Sequence, residues 1–403
     1  MPSETQPKAE EQVKAAEPVI VPDKNAVVDS VIERVQNNKF KVYLYCPPMN
    51  IPSGGVSVLF KYVNIIKESG CEVGILYEPR EDSKASYEAS KTQKKRITIY
   101  EPFDPSWLGK DAEGINLICL GEGEYKFNNG KTEKCVQLVM GPEDFMIIPE
   151  GFPNIMERTA QLPCKRIVLA QSWYYVLNGV GIGQKWQHFG IRDVISVSDG
   201  ITQYLNSVMP GLSIKQYSQS IDRNLFKKTD VADKVPVIAF MPGRSQDAII
   251  KTYNVIKTFY AFYPQYRWVR VDELKGLSRA EYAERISSAM IVLYTDEIAG
   301  FGTMPLEAMA CGTHVVGWTP LGGKEYMTSN NGFWAANGDI FQLAELLGHA
   351  VEKCLTGKLD VQEVSDEYEK TLARYTSDKE KESILTIHNQ YKNERITELN
   401  QLK

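Results

Sequence analysis

The stretch DEIAGFGTMPLEAMACGTHVVGW, residues Asp296–Trp318, decides the fold because one short segment holds a strand end, a turn, a helix and a second strand. The preceding residues 291–295 (IVLYT) are apolar and β-rich, which predicts a buried strand that runs into the turn Gly300-Phe301-Gly302. Thr303 is the predicted N-cap of the helix, and Gly312 is its predicted C-terminal stop. This arrangement is typical of an α/β fold.

The start of that helix has the chemistry of an anion site. Backbone N–H groups at Gly302 and Thr303 have no partner within the helix and lie at the positive end of its dipole, so they suit a diphosphate. Glu307 follows one turn later, where its carboxylate can accept hydrogen bonds from two vicinal hydroxyls, as an acidic residue does for ribose in dinucleotide folds. The alternative is a glycine-rich turn that serves packing alone.

The rest of the chain predicts two α/β domains and therefore a cleft. Its 403 residues suit two domains of roughly 150 to 200 residues each. A strand at 41–46, a helix with buried positions from 56 to 66 and a strand at 72–77 form a βαβ unit. After a polar linker at 227–234, the pattern restarts with a strand at 235–240 and a helix at 247–262. Further strands are predicted at 97–100, 115–120, 136–140, 166–170, 194–197, 268–271, 291–294 and 314–316.

These elements predict four segments along the chain. Residues 1–38 form a disordered tail and a short helix, 39–226 a first Rossmann-like domain, 235–362 a second, and 363–403 a helical extension that packs back across the junction.

Composition narrows the class of protein. The 43% hydrophobic and 24% charged content is that of a globular protein, with no apolar run long enough for a transmembrane helix and no signal-peptide pattern. Seven scattered cysteines, never in a C-x-x-C pair, argue against a disulfide framework and a zinc site. We therefore expect a cytoplasmic protein. The formal charge of −5 gives no global case for nucleic acid binding.

The Asp296–Trp318 stretch resembles the E-x7-E region of retaining GT-B glycosyltransferases of family 4, the glycogen-synthase-like group also called glycosyl transferases group 1. That region usually reads E-G-F-G-x-x-x-x-E-A-M-A-x-G-x-P-V-V. The matching residues are Gly300, Phe301, Gly302, Glu307, Ala308, Met309, Ala310, Gly312, Val315 and Val316. The resemblance implies a GT-B fold of two Rossmann-like domains facing across a cleft, with C-terminal helices returning to the first. It also implies that Glu307 binds the donor ribose.

Two positions depart from the family pattern. Ala299 stands where the family has its first Glu, which contacts the donor sugar, and His314 replaces the usual Pro. The loss of the first Glu leaves three interpretations: a different sugar, a substitute carboxylate from Asp296 or Glu297, or weak catalysis. We favour a different sugar together with a substitute, and Glu297 is our candidate for it.

Three further segments are predicted to bind the donor. Gly54 and Gly55 precede a helix and resemble the family's N-terminal Gly-Gly loop, which faces the donor phosphates. The resemblance also implies that the first domain holds the acceptor and the second holds the nucleotide-linked donor. Arg244 follows the first strand of the second domain, where the family has an Arg that neutralises the leaving diphosphate, and Lys251 is our candidate for a second cation. Gly322 and Gly323 resemble a small-residue turn near the donor sugar. A purely structural turn or an exposed cation is the alternative at each place.

The acceptor side is less determined. His188 is a candidate to reach the cleft, against a structural or surface role. The run from Asp82 to Arg96 is predicted as a solvated loop, and its Lys94, Lys95 and Arg96 would meet an anionic acceptor such as DNA, a polyphosphate or a membrane surface.

These residues together predict sugar transfer from a UDP- or GDP-linked donor to a glycan, a lipid-linked glycan or a hydroxymethylated DNA base, with retention implied by the resemblance. No cofactor or metal is predicted, since the chain has no D-x-D motif. Two rivals remain open: a nucleotide-sugar 2-epimerase of the same architecture, and a non-catalytic subunit that binds a sugar nucleotide or glycan.

Overall fold

The computed structural model describes residues 23–243, 245–358 and 361–403. The first 22 residues of the predicted tail and the predicted donor cation Arg244 lie outside the described residues. The helices are α1 (Lys24–Gln36), α2 (Gly54–Lys67), α3 (Ser83–Gln93), α4 (Pro153–Arg158), α5 (Asp199–Val208), α6 (Gln246–Phe262), α7 (Arg279–Ser288), α8 (Thr303–Ala310), α9 (Ile340–Thr356), α10 (Val361–Leu372) and α11 (Ser377–Asn400).

Sixteen strands are described between these helices. They are β1 (Lys41–Tyr45), β2 (Glu72–Tyr77), β3 (Arg80–Glu81), β4 (Tyr100–Glu101), β5 (Asn116–Cys119), β6 (Gly123–Lys126), β7 (Thr132–Cys135), β8 (Phe145–Pro149), β9 (Lys165–Ala170), β10 (Asp193–Ser196), β11 (Ser213–Gln216), β12 (Val235–Phe240), β13 (Arg270–Glu273), β14 (Ala289–Tyr294), β15 (His314–Thr319) and β16 (Phe333–Ala336).

Two parallel sheets organise the chain. The first has seven strands in the order β11-β10-β9-β8-β1-β2-β5, and the second has five in the order β13-β12-β14-β15-β16. Neighbouring strands within each sheet pair in parallel. Each sheet with its helices is called here the first or the second unit. The predicted α/β class and its pair of Rossmann-like layers are confirmed.

The sequence explains why the central strands are buried. All six residues of β14 (AMIVLY) are buried, as expected for a parallel strand covered by helices on both faces. Helix α2 buries Val56, Phe60 and Val63 on one face, because these apolar residues recur at helical spacing. The predicted βαβ unit is therefore present as β1-α2-β2.

Helix α11 returns to the first unit, as the GT-B resemblance implies. The Tyr391 hydroxyl donates to the Val194 carbonyl at 3.0 Å, and Lys165 Nζ lies 2.6 Å from Glu398 Oε1. The helix also contacts α1 and α2. It therefore completes the first unit after the chain has passed through the second.

The two units share one buried core. A continuous cluster of buried apolar residues runs from the first sheet to the α7 and α8 side of the second sheet, where it includes Phe301 and Tyr326. The α6 and α9 side of the second sheet has a separate core around Phe259 and Leu347. The units are therefore joined by packed side chains as well as by the segments of chain that connect them.

Several local predictions were wrong. Residues 83–93, predicted as a solvated loop, form α3, because the Asp82 carboxylate accepts from the Ala85 N–H and caps the first turn. Residues 136–140 form no strand: Val136 makes a single bridge to Leu120, and Val139 is 78% exposed. Strand β8 was not predicted.

The expectation of no disulfide is also wrong. Cys119, at the end of β5, is bonded to Cys135, at the end of β7. The bond closes the β6–β7 hairpin. The two cysteines are 16 residues apart, a spacing that no common disulfide or metal motif marks.

Candidate functional site

The glycine turn that begins α8 has a conformation that requires glycine. Gly302 is the N-cap with φ 77°, in place of the predicted Thr303, which is the first helical residue. A left-handed N-cap is available to glycine without the steric penalty of a Cβ. Pro305 has no N–H, so the free amides of this first turn come chiefly from Thr303 and Met304. The helix start can therefore donate to an anion.

Glu307 is half-buried and faces α7. Its Oε2 accepts a hydrogen bond of 2.9 Å from the Tyr282 hydroxyl. Burial raises the pKa of Glu307, while the Tyr282 hydroxyl, the Arg279 charge and the Thr303 hydroxyl act in the opposite direction. The two hydroxyl donors and the guanidinium therefore stabilise the charged form of this carboxylate, whereas burial destabilises it.

The glycine turn of the second unit packs directly on the end of β9 in the first unit. A Cβ at Gly300 would overlap the Gln171 carbonyl oxygen, so the two backbones approach more closely than any other residue permits. Beside this contact the Ser172 hydroxyl donates to the Ile298 carbonyl at 3.2 Å, and the Ser198 hydroxyl donates to the Gly300 carbonyl at 2.7 Å. The cleft is therefore closed at this point.

The predicted Gly322–Gly323 turn belongs to the same contact. A Cβ at Gly322 would overlap the Gly300 carbonyl, and one at Gly200 would overlap the Leu321 carbonyl. Gly323 has φ 90° and lies against the Phe301 carbonyl. These glycines allow the backbone of α5, the α8 turn and the segment after β15 to meet.

The Gly54–Gly55 helix start reaches the same place from the first unit. Helix α2 begins at Gly54, with Ser53 as an N-cap that makes no side-chain capping bond. A Cβ at Gly55 would lie 3.7 Å from Gln171 Oε1. Because the Gln171 backbone touches Gly300, one residue joins the start of α2 to the turn before α8.

Lys251 and Glu297 lie together in the second unit. Lys251 Nζ is 2.8 Å from Glu297 Oε2 and 3.0 Å from Asp247 Oδ2. The Glu297 backbone carbonyl accepts from the Asn337 amide at 3.2 Å. The predicted second cation is thus paired with the predicted substitute carboxylate.

Position 299 is inside the junction between the units. Ala299 is 7% exposed, and its carbonyl lies against Gly322. The side chain that replaces the family's first Glu is therefore packed into a core.

The predicted acceptor residues lie on the surface of the first unit. Lys94, Lys95 and Arg96 are exposed and follow the end of α3. His188 is exposed, and its Nδ1 accepts from the Lys185 N–H at 2.8 Å within a short local turn.

Sequence reasoning missed residues that hold the site in place. Tyr282 is 25 residues from Glu307, and only tertiary structure brings them together. Glu150, at the end of β8, is 5% exposed and accepts from the Ser172 N–H at 2.8 Å. Burial raises the pKa of Glu150 to about 7, although backbone donors that include Gln171 and Ser172 lower it. The position of Gln171 and Ser172 directly after a predicted strand was the available signal.

The described parts of the chain contain neither a metal-binding cluster nor a membrane-spanning helix. Within residues 23–243, 245–358 and 361–403, no group of three or more His, Cys, Asp or Glu side chains is placed to hold a metal ion. Within the same ranges no helix has the length and hydropathy to cross a bilayer.

Comparison with known proteins agrees with this geometry. Residues 268–359 match the family described as Glycosyl transferases group 1. An alpha-1,6-glucosyltransferase of Actinobacillus pleuropneumoniae serotype 7 is 29% identical over 239 residues, which cover 56% of this chain and 68% of that protein.

Solved structures share the fold at low identity. TarM aligns with a TM-score of 0.56 at 12% identity, over 88% of this chain and 99% of its own. The pneumococcal O-GlcNAc transferase GtfA, in complex with UDP and GlcNAc, aligns with a TM-score of 0.55 at 10% identity, over 89% and 99%. HepE of Anabaena, in complex with UDP-glucose, aligns with a TM-score of 0.55 at 13% identity, over 87% and 100%.

The match to Glycosyl transferases group 1 and the glucosyltransferase relative support a glycosyltransferase, and the solved structures share its GT-B fold. Its second unit contains the Glycosyl transferases group 1 match, which includes β14, the glycine turn, α8 and Glu307.

Proposed function

We propose that this enzyme transfers a sugar, with glucose as the first candidate, from a UDP-linked donor to a carbohydrate acceptor, with retention of anomeric configuration and without a metal. The name of the Actinobacillus relative supports glucose, and the UDP and UDP-glucose complexes of GtfA and HepE support the uridine nucleotide.

One observation carries the proposal: two helix starts from different units converge on Gln171. The start of α2 at Gly55 and the turn before α8 at Gly300 both lie against that residue, and Glu307 is one turn into α8. Fixed backbone donors aimed at one place stabilise charge that develops on a leaving diphosphate.

The proposed reaction needs no protein nucleophile. The bond between the sugar C1 and the β-phosphate oxygen breaks, and the acceptor oxygen bonds to C1 on the same face. The acceptor proton passes to the departing phosphate, so the products are the new glycoside and UDP. Arg244 is proposed to meet the leaving charge, and Glu307 to hold the ribose hydroxyls.

Glu297 has a narrower proposed role. Ala299 is packed into the junction. The carboxylate nearest to it in sequence is that of Glu297, which is paired with Lys251. We propose that Glu297 acts through Lys251, by holding the ammonium beside the donor phosphates.

The test is release of UDP from UDP-glucose, UDP-N-acetylglucosamine and UDP-galactose, with and without a mixture of oligosaccharides. Glu307→Ala should abolish turnover and leave the circular dichroism spectrum unchanged. Glu284→Ala, an exposed position on α7, is the matched control and should keep full activity. Normal turnover in Glu307→Ala would reject the assignment of this site.

The same assay separates the rival functions. A 2-epimerase would convert the donor sugar with no acceptor present, and a binding subunit would show affinity for UDP without turnover.

A further inference from the structure

The loop that follows the Gln171 contact is aromatic and uncharged. Residues 173–184 (WYYVLNGVGIGQ), named here the aromatic loop, contain no Asp, Glu, Lys, Arg or His. The loop begins immediately after Ser172, whose hydroxyl donates to Ile298 in the glycine turn. The aromatic rings of the loop therefore follow directly after the contact between the two units.

The rings of the aromatic loop form a connected array. Trp173 meets Tyr174 at 6.0 Å between centroids with an interplanar angle of 88°, and it meets Tyr204 of α5 at 5.8 Å. Tyr174 in turn meets Tyr175 at 5.2 Å and 82°. Edge-to-face contacts of this kind hold the rings in place while leaving ring faces open.

The aromatic loop has a buried residue that anchors it and a ring that is exposed to solvent. Val176 is fully buried, and the Ser172 hydroxyl accepts from the Tyr174 N–H at 3.3 Å. Tyr174 is 54% exposed, and Leu177 is 45% exposed. An anchored loop that presents apolar surface next to a polar site is a feature of ligand-binding surfaces.

One polar group in the array lacks a partner. Among the described residues, the buried indole Nε1 of Trp173 has no hydrogen-bond acceptor. A buried donor of this kind is normally paired, so the unpaired indole N–H is an exception in the array.

We propose that the aromatic loop is the acceptor subsite and that it takes the face of a neutral pyranose ring, which makes the acceptor a glycan. This inference rests on the proposed function. Apolar C–H faces of a sugar pack on exposed aromatic rings, and Tyr174 is the exposed ring of this array.

The position of the basic residues favours a glycan over DNA or an anionic membrane. Lys94, Lys95 and Arg96 follow α3, which comes after β2, whereas the aromatic loop follows β9. Strands β8 and β1 lie between them, so their sheet positions are about 14 Å apart. Nucleic acids need cations along the phosphate path, and the aromatic loop provides none.

The test measures binding of two classes of ligand to Tyr174→Ala. Tryptophan fluorescence would follow titration with glucose, mannose and N-acetylglucosamine pentasaccharides, a 20-nucleotide DNA strand and phosphatidylglycerol vesicles, while calorimetry measures UDP. We expect wild type to bind at least one pentasaccharide and the variant to bind it about tenfold more weakly, the scale of one lost aromatic contact. UDP affinity should be unchanged.

Tyr87→Ala is the matched control, because Tyr87 is also exposed, at 63%, and lies on α3 outside the aromatic loop. It should bind every ligand as wild type does. Equal pentasaccharide affinity in Tyr174→Ala, or binding of DNA or vesicles but of no pentasaccharide, or no binding of any of them, would overturn the inference. Failure of the proposed function is distinguishable, since it would appear as absent UDP binding in wild type.

Discussion

The Lys251 ammonium lies 2.8 Å from the Glu297 carboxylate, and it is also shared with Asp247. These side chains come from the first turns of α6 and from the loop after β14. The sequence suggested Lys251 as a phosphate ligand and Glu297 as a substitute for the family's first Glu, without suggesting that they touch. Their contact means that neither charge acts alone.

Lys251→Ala should lower the affinity for UDP about tenfold. The change removes a cation and leaves Glu297 and Asp247 uncompensated beside the proposed phosphate position. Calorimetric titration with UDP measures the effect, with Lys257→Ala on the exposed face of α6 as control. The double variant Lys251→Ala/Glu297→Gln should recover part of the loss. If Lys251→Ala binds UDP as wild type does, the pair is structural.

Tyr282→Phe should weaken UDP binding about tenfold at pH 7, because a hydrogen bond to a charged group is lost. The phenylalanine ring keeps the contact with Phe226 at 6.0 Å between centroids. Burial already raises the pKa of Glu307, and removing the Tyr282 donor should raise it further. The variant should therefore regain affinity as the pH rises and Glu307 ionises.

The measurement is UDP affinity from pH 5.5 to 8.5. Arg279, Cys311 and Tyr326 also interact electrostatically with Glu307, and they are unchanged in this variant. Glu307→Gln, which cannot ionise, should bind weakly with no such recovery. An unshifted pH profile in Tyr282→Phe would limit Tyr282 to packing.

Gly300→Ala should separate the two units without unfolding either. The added methyl would overlap the Gln171 carbonyl, and a backbone atom cannot move aside as a flexible side chain does. We expect a larger radius of gyration in X-ray scattering and loss of turnover, with normal circular dichroism. Gly151→Ala is the control, because its nearest neighbour, Tyr175 Cβ, would be 3.7 Å away. A wild-type radius together with wild-type activity would contradict the closed contact.

His388→Phe should make the protein more resistant to acid. Burial, with a smaller contribution from Lys392, lowers the pKa of His388 to about 4 from 6.5, and its Nε2 has no partner among the described residues. Between pH 6.5 and 4 the unfolded state binds a proton that the folded state does not, so stability falls as the pH falls. The loss for one such group is roughly 3 kcal/mol at most.

Urea unfolding from pH 7 to 4 tests this expectation. His388 packs between Phe40 and Phe145, at 5.7 and 5.9 Å between ring centroids, so phenylalanine suits the site. The difference in unfolding free energy between variant and wild type should grow toward pH 4. His314, whose pKa burial also lowers to about 4, remains in both proteins and cancels. A constant difference would show that His388 is not responsible.

Local patterns predicted the parts of the fold that local patterns determine. The β1-α2-β2 unit, α6 and the turn into α8 follow from apolar spacing and glycine placement, and the structure has all of them. Strand β8 was not predicted because its five residues, FMIIP, end in Pro149, and proline argues against a central strand. Helix α3 was not predicted because it has no apolar face, and its only buried residue is Ser86.

The residues of the candidate site could be predicted from the sequence, but the contacts between them could not. Gly300, Gly302 and Glu307 follow from the turn chemistry of one segment. The approach of Gln171 to Gly300 joins residues more than 120 positions apart, and nothing in either segment encodes it. The same holds for the Tyr282 hydroxyl on Glu307, which depends on how α7 packs beside α8.

Helix α11 supplies Tyr391, His388 and Ile384 to the first unit, although it is translated after the whole second unit. During synthesis, the ribosome therefore releases the seven strands of the first sheet long before the residues that cover one side of it. Until α11 emerges, the nascent first unit exposes apolar surface to solvent. Chaperones bind surfaces of this kind.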